Sequence, residues 1–353
     1  MNILAIDLGK AKSVFCWFNS ADHSHRFQTV ASTPGAFHDA LVLQPVDLVV
    51  IEACDLAGWV LDLCRDLGLA LEVINANNDG WRWKQVKHKS DRRDALKLAQ
   101  VRAAGPLATV CVPEPGVRQY KGLIFYRQKL VERRTGIKNA IHALLASQGR
   151  AVMGKAAWTP ESMLQWRTLA LPIDQCQSKD QLWRGQLHLE LEQLDHVQKQ
   201  LALLEARLDE LGQADPAVIR LQTIPGVGPR MSEMVVAVLG DPRRFKNVRQ
   251  VGSYVGLVPR RHQSGEMDRY GRISKAGCPQ LRKLALQVAW GMLQHNAAGR
   301  SVFQAISKGQ KTRRKQAAVA LARRVVCWCW AMLRDGTEWR DPTQQPAAAL
   351  QPV

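Results

Sequence analysis

The chain reads as an α/β domain, then a long helical connector, then a mainly α-helical domain. Three observations lead there. Over residues 1–104, short apolar runs alternate with helix-spaced stretches, the signature of a mixed sheet packed on helices. Two later stretches, within 105–211, carry apolar residues at every seventh place. Beyond residue 212, helical patterns are separated by Gly-Pro turns, and a Gln-, Pro- and Ala-rich tail at 336–353 is expected to be disordered.

The first elements follow from pattern. Residues 3–7, 12–18 and 25–30 are strand-like, separated by Gly9, Lys10 and the polar NSADHS turn. Residues 35–43 are helical in pattern, VDLVVIEA is a buried strand, and 56–67 is a helix stopped by Gly68. LALEVIN adds another strand, so the functional edge is expected at the strand carboxyl ends.

Acids stand at that edge. Asp7 closes the first apolar run and Glu52 closes VVIE. Asp91 and Asp94, three apart in KSDRRDALKLA, share a face where a helix begins. Four carboxylates so placed are hard oxygen ligands suited to Mg²⁺ or Mn²⁺, with no His/Cys cluster to favour zinc. Each also has a plainer reading: Asp7 as a turn residue, Asp91 as a helix cap.

The net charge of +18 is unevenly distributed. Residues 1–80 carry −6, residues 81–150 carry +12, residues 151–240 carry −3, and residues 241–353 carry +15. Two basic zones beside an acidic domain point to a polyanion, with nucleic acid the first choice and a membrane surface the second. In the first zone, Arg82, Lys84, Lys87, Lys89, Arg92 and Arg93 surround Asp91 and Asp94, which suits a phosphodiester that must approach carboxylates. Trp81 and Trp83 in the same stretch are either base-stacking groups or loop anchors.

Residues 117–147 predict a long helix, with Leu123, Leu130, Ile137 and Leu144 spaced by sevens and basic residues, Lys129 and Arg133 among them, between. Residues 151–177 read as irregular or short-helical, and 180–211 as a second long helix with Leu187, Leu194, Leu201 and Leu208 in one series and Val197, Leu204 and Leu211 in another. The two are expected to pair as an antiparallel hairpin or to form a subunit contact. Only the first is basic enough to meet nucleic acid.

In the second domain, LQTIPGVGPRMSEMVVAVLG has the form of a helix-hairpin-helix, whose Gly226 and Gly228 would let backbone N–H groups meet a phosphate. A plain helix-helix corner would need the same glycines. Downstream, Ser264 lies in a polar stretch read as a loop before a helix at about 280–295, among Arg260, Arg261, Arg269, Arg272 and Lys275. A serine among guanidinium groups is a candidate nucleophile at phosphorus, or else a turn residue; His262, Glu266 and Asp268 are weak candidates for its base. Residues 311–334 read as a helix, basic at first and then apolar.

Eight cysteines without CxxC spacing support neither zinc nor a disulfide framework and point to reduced thiols in the cytoplasm. The start lacks the pattern of a signal peptide, and no run of 18 apolar residues suggests a membrane span.

Taken in order, AIDLGK, IEAC, KSDRRDA, IPGVGP, DPRRFKNVRQVGSYVGLVPR, HQSG and GRISKAGCPQLRKLAL resemble the DEDD transposases of the insertion-sequence 110 and 1111 group, the bridge-RNA-guided recombinases. The resemblance spans about residues 2–335. It departs mildly at Ser90, where the family usually has Thr, and at Cys54, where it has Thr after Glu-Ala or Glu-Ser.

The resemblance implies a RuvC-like (ribonuclease H-like) first domain with Asp7, Glu52, Asp91 and Asp94 as the metal-binding tetrad. It implies that Ser264 forms a covalent phosphoserine link with DNA, the acids of one subunit serving the serine of another in a dimer or tetramer. It implies element-end and target DNA as substrates and a bridge noncoding RNA as guide. Two alternatives stay open at this stage: a metal-dependent Holliday-junction-type endonuclease that uses water and does not need Ser264, and a non-catalytic nucleic-acid-binding protein indifferent to loss of Asp7 or Asp94.

Overall fold

The computed structural model describes residues 1–75, 90–150, 158–264 and 267–341. The expected basic collar at Arg82, Lys84, Lys87 and Lys89, with Trp81 and Trp83, lies outside the described residues, as does residue 266. The described chain divides into two compact units, Met1–Arg118 and Gln119–Val353.

In the first unit, β1 (Asn2–Asp7), β2 (Lys12–Asn19), β3 (His25–Ala31), β4 (Leu48–Glu52) and β5 (Leu71–Ile74) form one sheet in the order β3-β2-β1-β4-β5. The first three strands form an antiparallel meander, while β4 and β5 run parallel to β1. β1, β2 and β4 are buried through most of their length because both faces are covered, so their sequences are continuously apolar rather than alternating.

Alternation sorts the side chains to the two faces. Leu4, Ile6, Phe15, Trp17, Val49, Ile51 and Val73 join Phe37 of α1 (Pro34–Val42) and Val60 and Cys64 of α2 (Ala57–Asp66). Ile3, Ala5, Val14, Cys16, Leu48, Val50 and Ile74 join Ala95, Leu98 and Ala99 of α3 (Asp91–Ala104) on the other. α1 starts where Thr33 accepts from the Ala36 N–H, with Pro34 next, a strong start signal. At the far end of α3, Arg102 grips Glu72 of β5 with two bonds of 2.6 and 2.9 Å.

The unit boundary falls in the first turn of α4 (Pro115–Ser147). α4 pairs antiparallel with α6 (Leu182–Gln213): Arg127 meets Glu205 near one end, and Arg150, just past α4, stands 5.9 Å over Trp183 at the other. Leu130, Ile137, Ile141 and Leu145 of α4 bury against Leu187, Leu191, Leu194, Val197 and Leu201, with Trp166 of α5 (Pro160–Leu169) closing the cluster. The intrachain hairpin is therefore the pairing formed. The strict sevens hold in the middle, at Leu130 and Ile137, and fail at both ends, where Ile124 and Leu145 are buried and Leu123 and Leu144 only half-buried.

Seven further elements follow: α7 (Pro216–Gln222), α8 (Pro229–Leu239), α9 (Val248–Val255), the hairpin β6 (Pro259–Ser264) and β7 (Met267–Ile273), α10 (Pro279–His295) and α11 (Ala297–Ser307). α12 (Arg314–Asp335) threads their common core with Leu321, Val325, Val326, Cys329 and Trp330. By length and composition the segment Lys311–Asp335 is apolar enough to cross a membrane, but α12 spends that apolar side on the core. The expected tail does not begin as disorder at Gly336. Trp339 packs on Trp328, and its N–H donates to the Thr223 hydroxyl at 3.0 Å. Residues 342–353 lie outside the described residues.

Candidate active site

The acidic half is built by strand register. β1 and β4 pair in parallel as Ile3↔Leu48 through Ile6↔Ile51, so Asp7 and Glu52 each follow the last matched pair by one residue. Strands lie about 4.8 Å apart and in-register neighbours point the same way. Asp7 shares its face with Ile3 and Ala5, and Glu52 shares its face with Leu48 and Val50, which is the face α3 covers. Both carboxylates are half-buried.

The turn after Asp7 is tightly held. Gly9 donates to the buried Ser13 hydroxyl at 3.2 Å, Ser13 and Ser32 share a hydrogen bond of 2.8 Å, and Ser32 donates to the Gly9 carbonyl at 2.6 Å. A Cβ at Gly9 would stand 2.2 Å from the Lys12 carbonyl oxygen. Glycine is therefore a packing requirement at this position.

α3 supplies the other two acids from its first turn. Ser90 caps it, accepting from the Arg93 N–H at 3.4 Å. Asp91 and Asp94 lie on the stripe that continues into Ala95 and Leu98, the residues seated on the sheet. Asp91 is exposed and Asp94 half-buried. Burial holds the Lys97 ammonium below its ordinary range, with Asp94 partly restoring it. Arg92 is exposed and stands 5.8 Å over Phe27 of β3; Arg93 is exposed too.

The donor chemistry of the four acids is all-oxygen and hard, as Mg²⁺ or Mn²⁺ requires. Asp7 and Glu52 are brought together by the register. Among the described residues, however, no group of three or more His, Cys, Asp or Glu side chains stands close enough to hold a metal ion. Asp7 and Glu52 share one face of the sheet with the α3 carboxylates, and no cage is completed.

Within the second unit, Ser264 closes β6 opposite Met267. The stretch expected to be a loop is thus a hairpin, exposed along nearly its whole length. Pairing divides its side chains. His262, opposite Arg269, shares a face with Ser264, while Arg261, Gln263, Asp268 and Tyr270 occupy the other. Arg261 binds both Asp268 oxygens at 2.8 and 2.9 Å, so Asp268 is engaged on the face away from the serine. Arg260 donates to the Ser274 carbonyl at 3.3 Å, and Arg272 is exposed. Lys275 adopts φ 57° as its N–H bonds the Gly256 carbonyl.

The IPGVGP turn joins α7 to α8. Gly226 has φ +93°, and a Cβ there would meet Met292 of α10 at 3.0 Å. Asn296, buried between α10 and α11, donates to the Pro225 carbonyl at 3.2 Å and accepts from the Gly299 N–H at 2.8 Å. Gly228 caps α8 without a side chain. On α4, Lys129 and Arg133 are exposed one turn apart.

Sequence reasoning missed a buried ionic cluster under α8. Glu233 is fully buried, and Arg230 pairs with it at 3.0 Å and also with Asp209 of α6. Burial raises Glu233 to about 7, against the pull of Arg230. The signal was an acid within the apolar run MSEMVVAVL.

Two family models match the chain. A DEDD model of the IS110 type, described as Transposase, covers residues 4–148, and one described as Transposase IS116/IS110/IS902 family covers residues 219–304. The chain belongs to the IS110/IS1111 family of DEDD transposases. It is a DNA transposase, and a DEDD transposase binds DNA and depends on a divalent cation.

Full-length likeness extends along this family. A probable family 20 transposase of Pseudomonas aeruginosa is 28% identical over 96% of this chain and 99% of its own length. The transposase for insertion sequence element IS1111A of Coxiella burnetii is 26% identical over 96% and 92% respectively. A pilin gene-inverting protein of Moraxella lacunata is 31% identical over 33% of this chain and 36% of its own.

Proposed function

We propose that this transposase cuts and rejoins DNA through a phosphoserine link at Ser264, guided by a bridge RNA. In this reading its first unit is a RuvC-like nuclease fold whose Asp7, Glu52, Asp91 and Asp94 hold Mg²⁺ or Mn²⁺. The observation that carries the reading is the β1–β4 register, which sets Asp7 and Glu52 side by side on the face α3 covers. A divalent cation bound there supplies Lewis acidity toward a phosphoryl oxygen and eases loss of a hydroxyl proton.

The chain's own residues do the rest. The Ser264 oxygen attacks phosphorus and gives up its proton; one phosphate–oxygen bond to a strand end breaks, and the departing deoxyribose hydroxyl takes a proton. Arg269, on the serine's face, with Arg260 and Arg272 on the same hairpin, neutralises charge growing on the phosphoryl oxygens. Attack by another strand's hydroxyl then restores a diester and frees Ser264. The phosphodiester bond energy is kept throughout, so no ATP is consumed. Arg92 and Arg93 offset the acids' repulsion of the backbone. Lys129, Arg133, Lys275 and the Gly226–Gly228 turn hold nucleic-acid phosphates, while Arg261 is engaged by Asp268.

Incubation with element-end DNA, target DNA, the associated noncoding RNA and Mg²⁺ tests the reading. Joined product is expected only when RNA and metal are both present. Equal joining without RNA would overturn the guided part of the reading.

A further inference from the structure

A cavity of about 460 Å³ opens in the second unit on the side of the hairpin opposite Ser264. Its walls bring Arg249 from α9, Arg261 from β6 and Arg323 and Arg324 from α12 around Tyr270 and Val258. Among the described residues no carboxylate lines it. Arg261 is spent on Asp268, and its guanidinium stands 5.8 Å over the Tyr270 ring. Arg249, Arg323 and Arg324 form no ion pair with a described residue.

The close approach of α9 and α12 at Gly252 is what builds this cavity. A Cβ at Gly252 would stand 3.2 Å from Val258 and 3.4 Å from the Arg323 stem. The three guanidinium groups therefore hang on packed helices rather than on a loop. Three uncompensated arginines on a concave wall call for a phosphate, which takes guanidinium in paired hydrogen bonds. Tyr270 stays 66% exposed beside them even with Arg261 over its ring, which leaves aromatic surface for a base to meet.

A duplex offers only phosphates at its rim and keeps its bases stacked, so it would leave ring and recess unfilled. An unpaired nucleotide fills both, and ligand cavities run from about 300 to 1,000 Å³. We propose that this cavity binds one unpaired nucleotide, its phosphate on Arg249, Arg323 and Arg324 and its base against Tyr270. Because Tyr270 and Ser264 belong to one hairpin, a nucleotide so held fixes the strand a few residues from the nucleophile. The inference rests on the nucleic-acid chemistry of the proposed function and deepens it. The source is either a splayed DNA strand or the unpaired part of the RNA.

The test uses the full-length chain and fluorescence anisotropy with short single-stranded DNA, single-stranded RNA and blunt duplex DNA. The double variant Arg249→Gln/Arg323→Gln is expected to lose about tenfold in affinity for single strands, with a shallower salt slope, and to keep duplex affinity within about twofold. Whichever single strand loses affinity, DNA, RNA or both, identifies the source. Tyr270→Leu is expected to weaken binding of a normal oligonucleotide but not of one made abasic. An equal loss on duplex and single strands, no loss at all, or an equal Tyr270 effect on abasic strands would overturn the proposal. Ser264→Ala is expected to leave this binding unchanged, so failure of the serine mechanism and failure of the nucleotide site read out separately.

Discussion

Asp7 and Glu52 leave adjacent parallel strands one residue past the matched pair Ile6↔Ile51, on one face of the sheet. Two half-buried carboxylates on one face of the sheet are hard oxygen ligands that a single divalent cation can share. Replacing either with its amide, Asp7→Asn or Glu52→Gln, is expected to lower DNA cleavage by roughly 100-fold or more, as removal of an electrostatic element at a reacting phosphate does. The double variant should be little worse than either single one, because the pair acts as a unit. Cleavage rates under saturating Mg²⁺, beside DNA affinity that stays level, check this.

Gly9→Ala is expected to damage the same site without touching an acid. The added methyl would press on a backbone oxygen that cannot move aside, so the turn carrying Asp7 must shift. A displacement of about 1 Å at a reacting centre can cost roughly 100-fold in rate. Single-turnover cleavage should fall while binding holds.

Asn296→Ala removes both the clamp on the Pro225 carbonyl and the cap of α11. About 1–2 kcal/mol of stability should go with them, read as a lower unfolding midpoint. Asn296→Asp should restore the cap but not the donated bond.

Glu233 sets a pH dependence. Its carboxyl titrates at about 7 when folded, against an ordinary 4.5, because burial outweighs Arg230. Asp209 and Glu205 of α6 and Arg127 and Tyr120 of α4 belong to the same neighbourhood. The folded state holds this proton more tightly, so its contribution is complete below 4.5 and disappears as pH rises through about 7. Glu233→Gln, which cannot ionise, should flatten the fall in stability between those values, as chemical denaturation across that range would detect.

Much of this was legible in the sequence for physical reasons. Strands buried on both faces announce themselves as apolar runs, and Gly68 marks a helix end by its own chemistry; at α3 the sequence offered Asp91 as the cap, whereas Ser90 holds that place and Asp91 opens the helix. Each strand end carrying an acid could be read, but the order β2-β1-β4 could not, because two strands and a helix separate β1 from β4 in the chain. That order is what pairs Asp7 with Glu52. The β6–β7 hairpin was illegible because PRRHQS and MDRYGRI are exposed and lack apolar alternation; Arg261–Asp268 and Arg261–Tyr270 contacts take its place. α9 and α11 are short, and their caps Asn247 and Asn296 resemble ordinary turn residues until the partners are seen. The Asp91–Asp94 spacing was read correctly as one face, yet spacing alone says nothing of how near that face comes to Asp7.

In the proposed reaction Ser264 becomes bonded to DNA. Incubation of the full-length protein with labelled element-end DNA, RNA and Mg²⁺, followed by denaturing electrophoresis and peptide mapping, tests it most directly. A labelled adduct mapped to Ser264, absent from Ser264→Ala and from Asp7→Asn, is the result expected. Strand cleavage by Ser264→Ala at the rate of the unaltered protein, with no adduct in either, would contradict it and leave water as the nucleophile.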